Sequence, residues 1–153
     1  MSPLFDDLIG QPLAVDLLMA ALDRQRLAPA YLFGGPEGVG RRLAALRFLE
    51  GLLANGQASP RERRRLQERN HPDLMWLEPT YLHQGRLFSK SEAAEAGLSR
   101  RTPPQLRLEQ IRDVSRFLAR QPVEAKRGMV VIEAAEAMAE SAANALLKTL
   151  EEP

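Results

Sequence analysis

An α/β fold with a parallel sheet is what this chain predicts, and three observations lead there. Short apolar runs of strand length alternate with stretches whose apolar residues recur at helical spacing. A glycine-rich turn joins one such run to one such helix, the local order that a doubly wound sheet uses at the carboxyl ends of its strands. The 153 residues are 44% hydrophobic and 27% charged, a balance that suits one folded domain able to bury a core.

Composition also excludes several classes. No apolar run approaches the ~20 residues needed to span a bilayer, and Met1 to Asp7 lacks the basic-then-apolar order of a secretion signal, so a cytoplasmic location is expected. The chain has no cysteine, which rules out disulfides and thiolate zinc sites, and only two histidines, His71 and His83. No metal and no cofactor are expected. A net charge of +1 makes no global case for nucleic-acid binding, so any such role must rest on a local patch.

Each element follows in order. Pro12 to Arg26 carries Leu13, Leu17, Ala21 and Leu22 near one helical face, with Pro12 suited to a first turn. Ala30 to Phe33 reads as a first strand, stopped by Gly34-Gly35, after which Leu43, Leu46, Leu49 and Leu53 mark a helix to about Ala54. Asn55 to Pro60 breaks that helix, and Arg61 to Arg69 follows as a charged surface helix with almost no apolar face. Leu74-Met75-Trp76-Leu77 is a second strand. Residues 80–104 show no clean periodicity and are read as an insertion loop, unusually long for a compact domain. Leu108, Ile111, Val114, Ser115 and Leu118 mark a helix, Met129 to Ile132 a third strand, and Ala143, Leu146, Leu147 and Leu150 the single apolar stripe of a last helix.

The glycine turn is the strongest chemical signal. Gly35, Gly38 and Gly40 fit the spacing of the phosphate-binding loop, but Arg41 stands where that loop has lysine and Arg42 where it has the hydroxyl residue that holds magnesium. Arginine is a broad planar fork and lysine a slim point charge, so the exchange is not conservative in a tight turn. Loop amides can still cradle an anion, but an inert scaffold is the favoured reading over weak nucleotide binding.

Four strings together carry a family resemblance: Phe5-Asp6-Asp7-Leu8-Ile9-Gly10-Gln11, Gly35 to Arg42, His71-Pro72-Asp73, and Ala142 to Pro153 with its Leu-Leu-Lys-Thr-Leu-Glu-Glu-Pro ending. In order and spacing the chain resembles the AAA+ module of bacterial clamp-loader subunits, and among them those with a degenerate phosphate loop. The resemblance implies a three-layer P-loop NTPase fold, with a parallel sheet flanked by helices and strand order 5-1-4-3-2. It also implies work beside the tau/gamma and delta subunits of a replicative polymerase holoenzyme, loading the sliding clamp onto primed DNA.

Further departures bear on that work. Counting back from Asn144, the resemblance places Glu133 and Ala134 where related motors end a strand in aspartate and glutamate. Glu133 is a degenerate metal-organising position, and Ala134 offers no acceptor for a water proton, so catalytic residues are expected to be none and intrinsic ATPase activity negligible. Many relatives carry a four-cysteine zinc module where residues 55–70 hold an arginine-rich helix. Its Arg61, Arg63, Arg64, Arg65 and Arg69 are candidates for DNA phosphates or an acidic partner, with a solvated, Glu-paired helix the favoured alternative.

His71-Pro72-Asp73 is read as a structural turn, and Trp76 and Phe117 as core aromatics. The resemblance assigns Lys148, Thr149, Glu151 and Glu152 to a subunit interface, with the neighbouring leucines in the core. It also implies a fragment truncated after the third strand and its helix, whose sheet has a gap between the first and third strands that invites self-association. The reading is thus a non-catalytic clamp-loader subunit, against an active AAA+ ATPase motor or a DNA-binding adaptor.

Overall fold

A computed structural model describes residues 3–98 and 103–151. The chain divides into two compact units, residues 1–74 and 75–153, each with its own apolar cluster.

The first unit is helical. A 3-10 turn at Pro3–Phe5 leads to α1 (Pro12–Arg24), α2 (Arg41–Leu53) and α3 (Pro60–Gln67). Pro12 occupies the first turn of α1, where its missing N–H costs nothing, and Gln25 in the left-handed region closes the helix. Leu4, Phe5, Leu8, Val15, Leu18, Ala44 and Phe48 form the core. Gly51 lets α2 come close: a Cβ there would stand 2.7 Å from methyl carbons of both Leu4 and Leu22. Ser59 starts α3 by accepting the Glu62 N–H at 3.3 Å, with Pro60 in the first turn.

At the centre of this unit is a buried carboxylate. Glu50 is fully buried on α2, and its oxygens accept from Arg63 Nε at 2.7 Å and from the Ser59 N–H at 2.8 Å. Arg47, one turn earlier and also buried, lies 3.5 Å from Glu50 and reaches Asp7 at 2.6 Å. Arg63 Nη2 also donates to the Leu4 carbonyl at 3.4 Å. One chain of charge therefore ties the N-terminal turn, α2 and α3 together.

The second unit holds the sheet. β1 (Leu74–Leu77) pairs in parallel with β4 (Met129–Ile132), and the Glu133 N–H extends the ladder to the Leu77 carbonyl at 2.9 Å. The α5 (Leu108–Ala119) and α6 (Glu140–Glu151) helices pack together, with Leu77, Leu106, Ile111, Val114 and Ala142 as the buried cluster. Gln110 ties the start of α5 to the end of β1. Its amide nitrogen donates to the Glu78 carbonyl at 2.9 Å, and its oxygen accepts from the Arg107 N–H and from Thr80 Oγ1. Trp76 and Phe117 are half-buried.

The α/β class and the parallel pairing of the second and third expected strands are as the sequence indicates. Four local expectations are corrected. On α1 the buried residues are Val15 and Leu18, whereas Leu13 and Leu17 of the expected stripe are exposed, because the core meets the adjacent face of the helix. Ala30 to Phe33 is not a strand: nothing among the described residues supplies a hydrogen-bond ladder to it, and a four-residue strand without one has little to hold it. It is pinned instead by side chains. Tyr31 meets Phe48 edge to face at 4.8 Å and accepts the Ala28 N–H, Phe33 packs on the core, and Leu32 is 86% exposed.

Nor are residues 80–104 simply a loop. They begin with a hairpin of β2 (Thr80–His83) and β3 (Arg86–Ser89), followed by α4 (Lys90–Glu95). Gln84 and Gly85 both take positive φ, 51° and 77°, as a two-residue hairpin turn requires. Ser89 and Glu92 close a capping box on α4, and those hydrogen bonds from Ser89 hold the Glu92 carboxyl below its usual range.

The last correction concerns α6. Its buried face is Ala142, Ala145 and Leu146, whereas Ala143 and Leu147 are exposed, the latter by 54%. Two small apolar faces share this helix, and helical spacing alone does not say which one meets α5.

Removing Glu50 leaves the half-buried Arg63 guanidinium without its carboxylate, and leaves buried Arg47 with Asp7 alone. Glu50→Ala is expected to cost about 3–5 kcal/mol in urea unfolding, whereas the exposed Arg64→Ala stays within about 0.5 kcal/mol. Acid should act on the same cluster. The Arg47 hydrogen bond holds the Asp7 carboxyl below its ordinary value, so its stabilisation is complete above the unfolded-state value and fades as pH falls through the lowered folded value. Asp7→Asn should flatten that low-pH limb of the stability profile.

Candidate functional site

The glycine loop runs directly into α2. Gly35, Gly38 and Gly40 have φ of 147°, 82° and 101°, and Gly40 is the residue that precedes the helix. The loop is closed by the Val39 N–H to the Pro36 carbonyl at 3.4 Å, and the helix opens with the Ala44 N–H to the Gly40 carbonyl at 2.8 Å. Gly40 has no side chain to cap α2. Arg41 is half-buried and Arg42 exposed, which puts two cations at the positive end of a 13-residue helix.

Two glycines in the loop have different reasons. Gly38 has open space around it, so only its backbone conformation demands glycine. At Gly40 a Cβ would also stand 2.5 Å from Leu8 Cδ1. Leu8 in turn lines a shallow cavity of about 310 Å³ with Gln11, Pro12, Val15, Asp16 and Met19. The Phe5 to Gln11 string and the glycine loop thus meet within one unit, at Leu8.

Glu133 and Ala134 belong to the second unit. Glu133 ends the β4 ladder, and Ala134 follows in the left-handed region at φ 54°, unusual for a residue with a Cβ. A 3-10 turn at Ala135–Ala137 comes next, and Leu106 is hydrogen bonded beside it, accepting from Ala139 and donating to Ala137. The Ala134 methyl can neither coordinate a cation nor take a proton.

The arginines of α3 are divided by their partners. Arg63, 29% exposed, is committed to Glu50, and Arg65 is held by Glu62 at 3.4 Å. Arg61 and Arg64 are 77% and 80% exposed, with Glu62 at 3.9 Å and Glu68 at 3.4 Å as neighbours. Of the four, Arg61 and Arg64 therefore offer an outward cation, while Arg63 holds the helix in place. His71 is buried with Asp73 beside it in the turn. Its Nδ1 accepts the Asp73 N–H at 3.0 Å, which places the ring proton on Nε2, facing Glu62 Oε2 at 3.9 Å. This is a packed turn with its acceptor already in use.

Of the interface candidates, Lys148 and Glu151 are exposed on α6, and Glu152 lies outside the described residues. Thr149 is half-buried and bonded to the neighbouring helix: its hydroxyl shares a 2.8 Å hydrogen bond with Ser115 of α5 and donates to the Ala145 carbonyl at 3.2 Å. Among the described residues no group of histidine, cysteine, aspartate or glutamate side chains could hold a metal ion, and no helix is long and apolar enough to cross a membrane.

The loop geometry separates two substitutions. Gly38→Ala should cost about 1 kcal/mol from backbone strain alone. Gly40→Ala should cost about 1–3 kcal/mol, because Leu8 must also move. Thermal unfolding of the two variants side by side gives the comparison, and equal losses would contradict the contact with Leu8.

Comparison with known proteins covers nearly the whole chain. The family described as DNA polymerase III, delta subunit matches residues 10–153. The DNA polymerase III subunit delta' of Bacillus subtilis is 31% identical over 148 residues, 94% of this chain and 38% of the relative. The subunit of the same name from Pseudomonas aeruginosa is 35% identical over 136 residues, 85% of this chain and 35% of the relative. A plant protein, STICHEL of Arabidopsis thaliana, is 48% identical over 48 residues, 31% of this chain and 4% of its own length. The chain thus spans less than two-fifths of the length of these relatives, yet the match runs from Gly10 through the glycine loop, β1 and β4 to the end of α6. The chain belongs to the DNA polymerase III delta subunit family.

Proposed function

We propose that this chain is a non-catalytic part of a bacterial clamp loader, acting in the cytoplasm beside tau/gamma and delta subunits to place the sliding clamp on primed DNA. The observation that carries this reading is the match to two delta' subunits over 94% and 85% of the chain. The chemistry of the chain points the same way. The glycine loop has positive φ at Gly35, Gly38 and Gly40 and leads into α2, but Arg42 puts a cation where a hydroxyl would bind magnesium. Ala134, at the end of β4, cannot position a water. Phosphoryl transfer relies on positioning and electrostatics, and a single loss of such a group commonly costs about 10²- to 10³-fold. These substitutions disfavour an active ATPase motor.

In this reading Lys148, Glu151 and Glu152 face a neighbouring subunit, and Thr149 supports them by fixing α6 to α5. Arg61 and Arg64 supply whatever phosphate contact α3 makes, with Arg63 excluded by its bond to Glu50. A DNA-binding adaptor is the weaker alternative, because α3 turns only Arg61 and Arg64 outward and the chain has a net charge of +1.

Mixing the purified chain with tau/gamma and delta subunits tests the proposal. The chain should co-elute with them on size exclusion, and Lys148→Glu with Glu151→Lys should weaken that association by about tenfold or more. Alone, it should hydrolyse ATP at least about 10²-fold more slowly than the motor subunit. Failure to join the subunits, or magnesium-dependent turnover at motor rates, would sink the reading.

A further inference from the structure

The β2–β3 hairpin carries a second surface that the proposed role does not use. Its register pairs Thr80 with Ser89, Tyr81 with Phe88, Leu82 with Leu87 and His83 with Arg86. Side chains alternate along a strand and directly paired residues share a face. One face is therefore Thr80, Leu82, Leu87 and Ser89, and its Thr80 and Ser89 end is buried. The other is Tyr81, His83, Arg86 and Phe88.

This second face contains two aromatic rings, an imidazole and a guanidinium, and no carboxylate. Tyr81, His83 and Phe88 are half-buried and Arg86 is exposed. The Arg86 guanidinium carbon stands over the Phe88 ring, 4.7 Å from its centroid, and the His83 ring meets Phe88 edge to face at 6.2 Å. Arg86 is thus held by a cation–π contact before any ligand arrives, which lowers the ordering cost of using it. Nearby, Lys90 is exposed at the start of α4, and Glu92 is turned back onto the Ser89 N–H.

We propose that the Tyr81, His83, Arg86 and Phe88 face of the hairpin binds single-stranded nucleic acid. Flat rings and a flat cation suit unstacked bases, whose π-faces are available only in a single strand, and the positive charge suits the phosphates between them. None of the four residues of this face is a carboxylate, and Glu92, which feels the Arg86 charge, accepts the Ser89 N–H. It lies within one unit of the chain and is independent of α3.

The test uses the full 153-residue chain and a fluorescein-labelled oligothymidylate of about 20 nucleotides, followed by anisotropy at low salt. Phe88→Leu and Tyr81→Leu keep apolar bulk but remove the π-face, and each should weaken binding about fivefold or more. Arg86→Ala should reduce the slope of log affinity against log salt by about 0.7. Leu82→Ala, on the opposite face, should leave binding within about twofold of the parent. Circular dichroism checks that each variant is folded, and Tyr81→Leu carries the reading if Phe88→Leu is not. No binding by the parent chain, unchanged binding by both folded leucine variants, or equal affinity for a duplex of the same length would overturn the proposal. So would loss of binding only on changing Arg61 and Arg64, which would assign the affinity to α3.

Discussion

Glu50 is the group on which the first unit is organised. A carboxylate with no contact to water must be neutralised and hydrogen bonded, and here Arg63, Arg47 and the Ser59 N–H do both. Because those partners come from three directions, satisfying one side chain orients three pieces of chain. Arg47 passes the connection to Asp7 at 2.6 Å, and Arg63 passes it to the Leu4 carbonyl. The helix that follows the glycine loop is thereby fixed at its far end, so the loop itself needs little more than permissive backbone.

That arrangement changes the meaning of the arginine-rich segment. Read as a run of charge, residues 61–69 offer one undifferentiated basic surface. In the structure the run is a short amphipathic helix in an electrostatic sense: Leu66 and Arg63 face inward, while Arg61 and Arg64 face water. Gln110 has a comparable place in the second unit. With three hydrogen bonds to Glu78, Thr80 and Arg107, one neutral amide joins the end of β1, the base of the hairpin and the first turn of α5. Glu50 is a buried hub and Gln110 a half-buried one, and each draws its partners from more than one element of its unit.

How far the candidate site could be read in advance varied with the range of the interactions involved. Gly40 was legible because a phosphate-loop spacing announces it, and its positive φ confirms why a glycine stands there. The contact with Leu8 was not, since it joins two segments about thirty residues apart. The hairpin had a readable signal that periodicity over the whole insertion hid: a Gln-Gly pair between two four-residue runs, each with two apolar or aromatic residues at its centre, then Ser-Lys-Ser-Glu as a capping box. Thr149 shows the opposite case. Nothing in its local sequence distinguishes it from Lys148, yet its hydroxyl is bonded to Ser115 of the neighbouring helix.

The amino-acid order by itself determined α1, α2, α3, α5 and α6, the strands at 74–77 and 129–132 and the glycine turn, because each depends on neighbours within a few residues. Tertiary structure decided which side of α6 is buried, which arginines remain outside, and whether Ala30 to Phe33 becomes a strand. Those outcomes depend on partners: a stripe needs a facing stripe, a buried cation needs its carboxylate, and a strand needs another strand. Sequence specifies the capacity for such contacts, and only the folded chain specifies which are made.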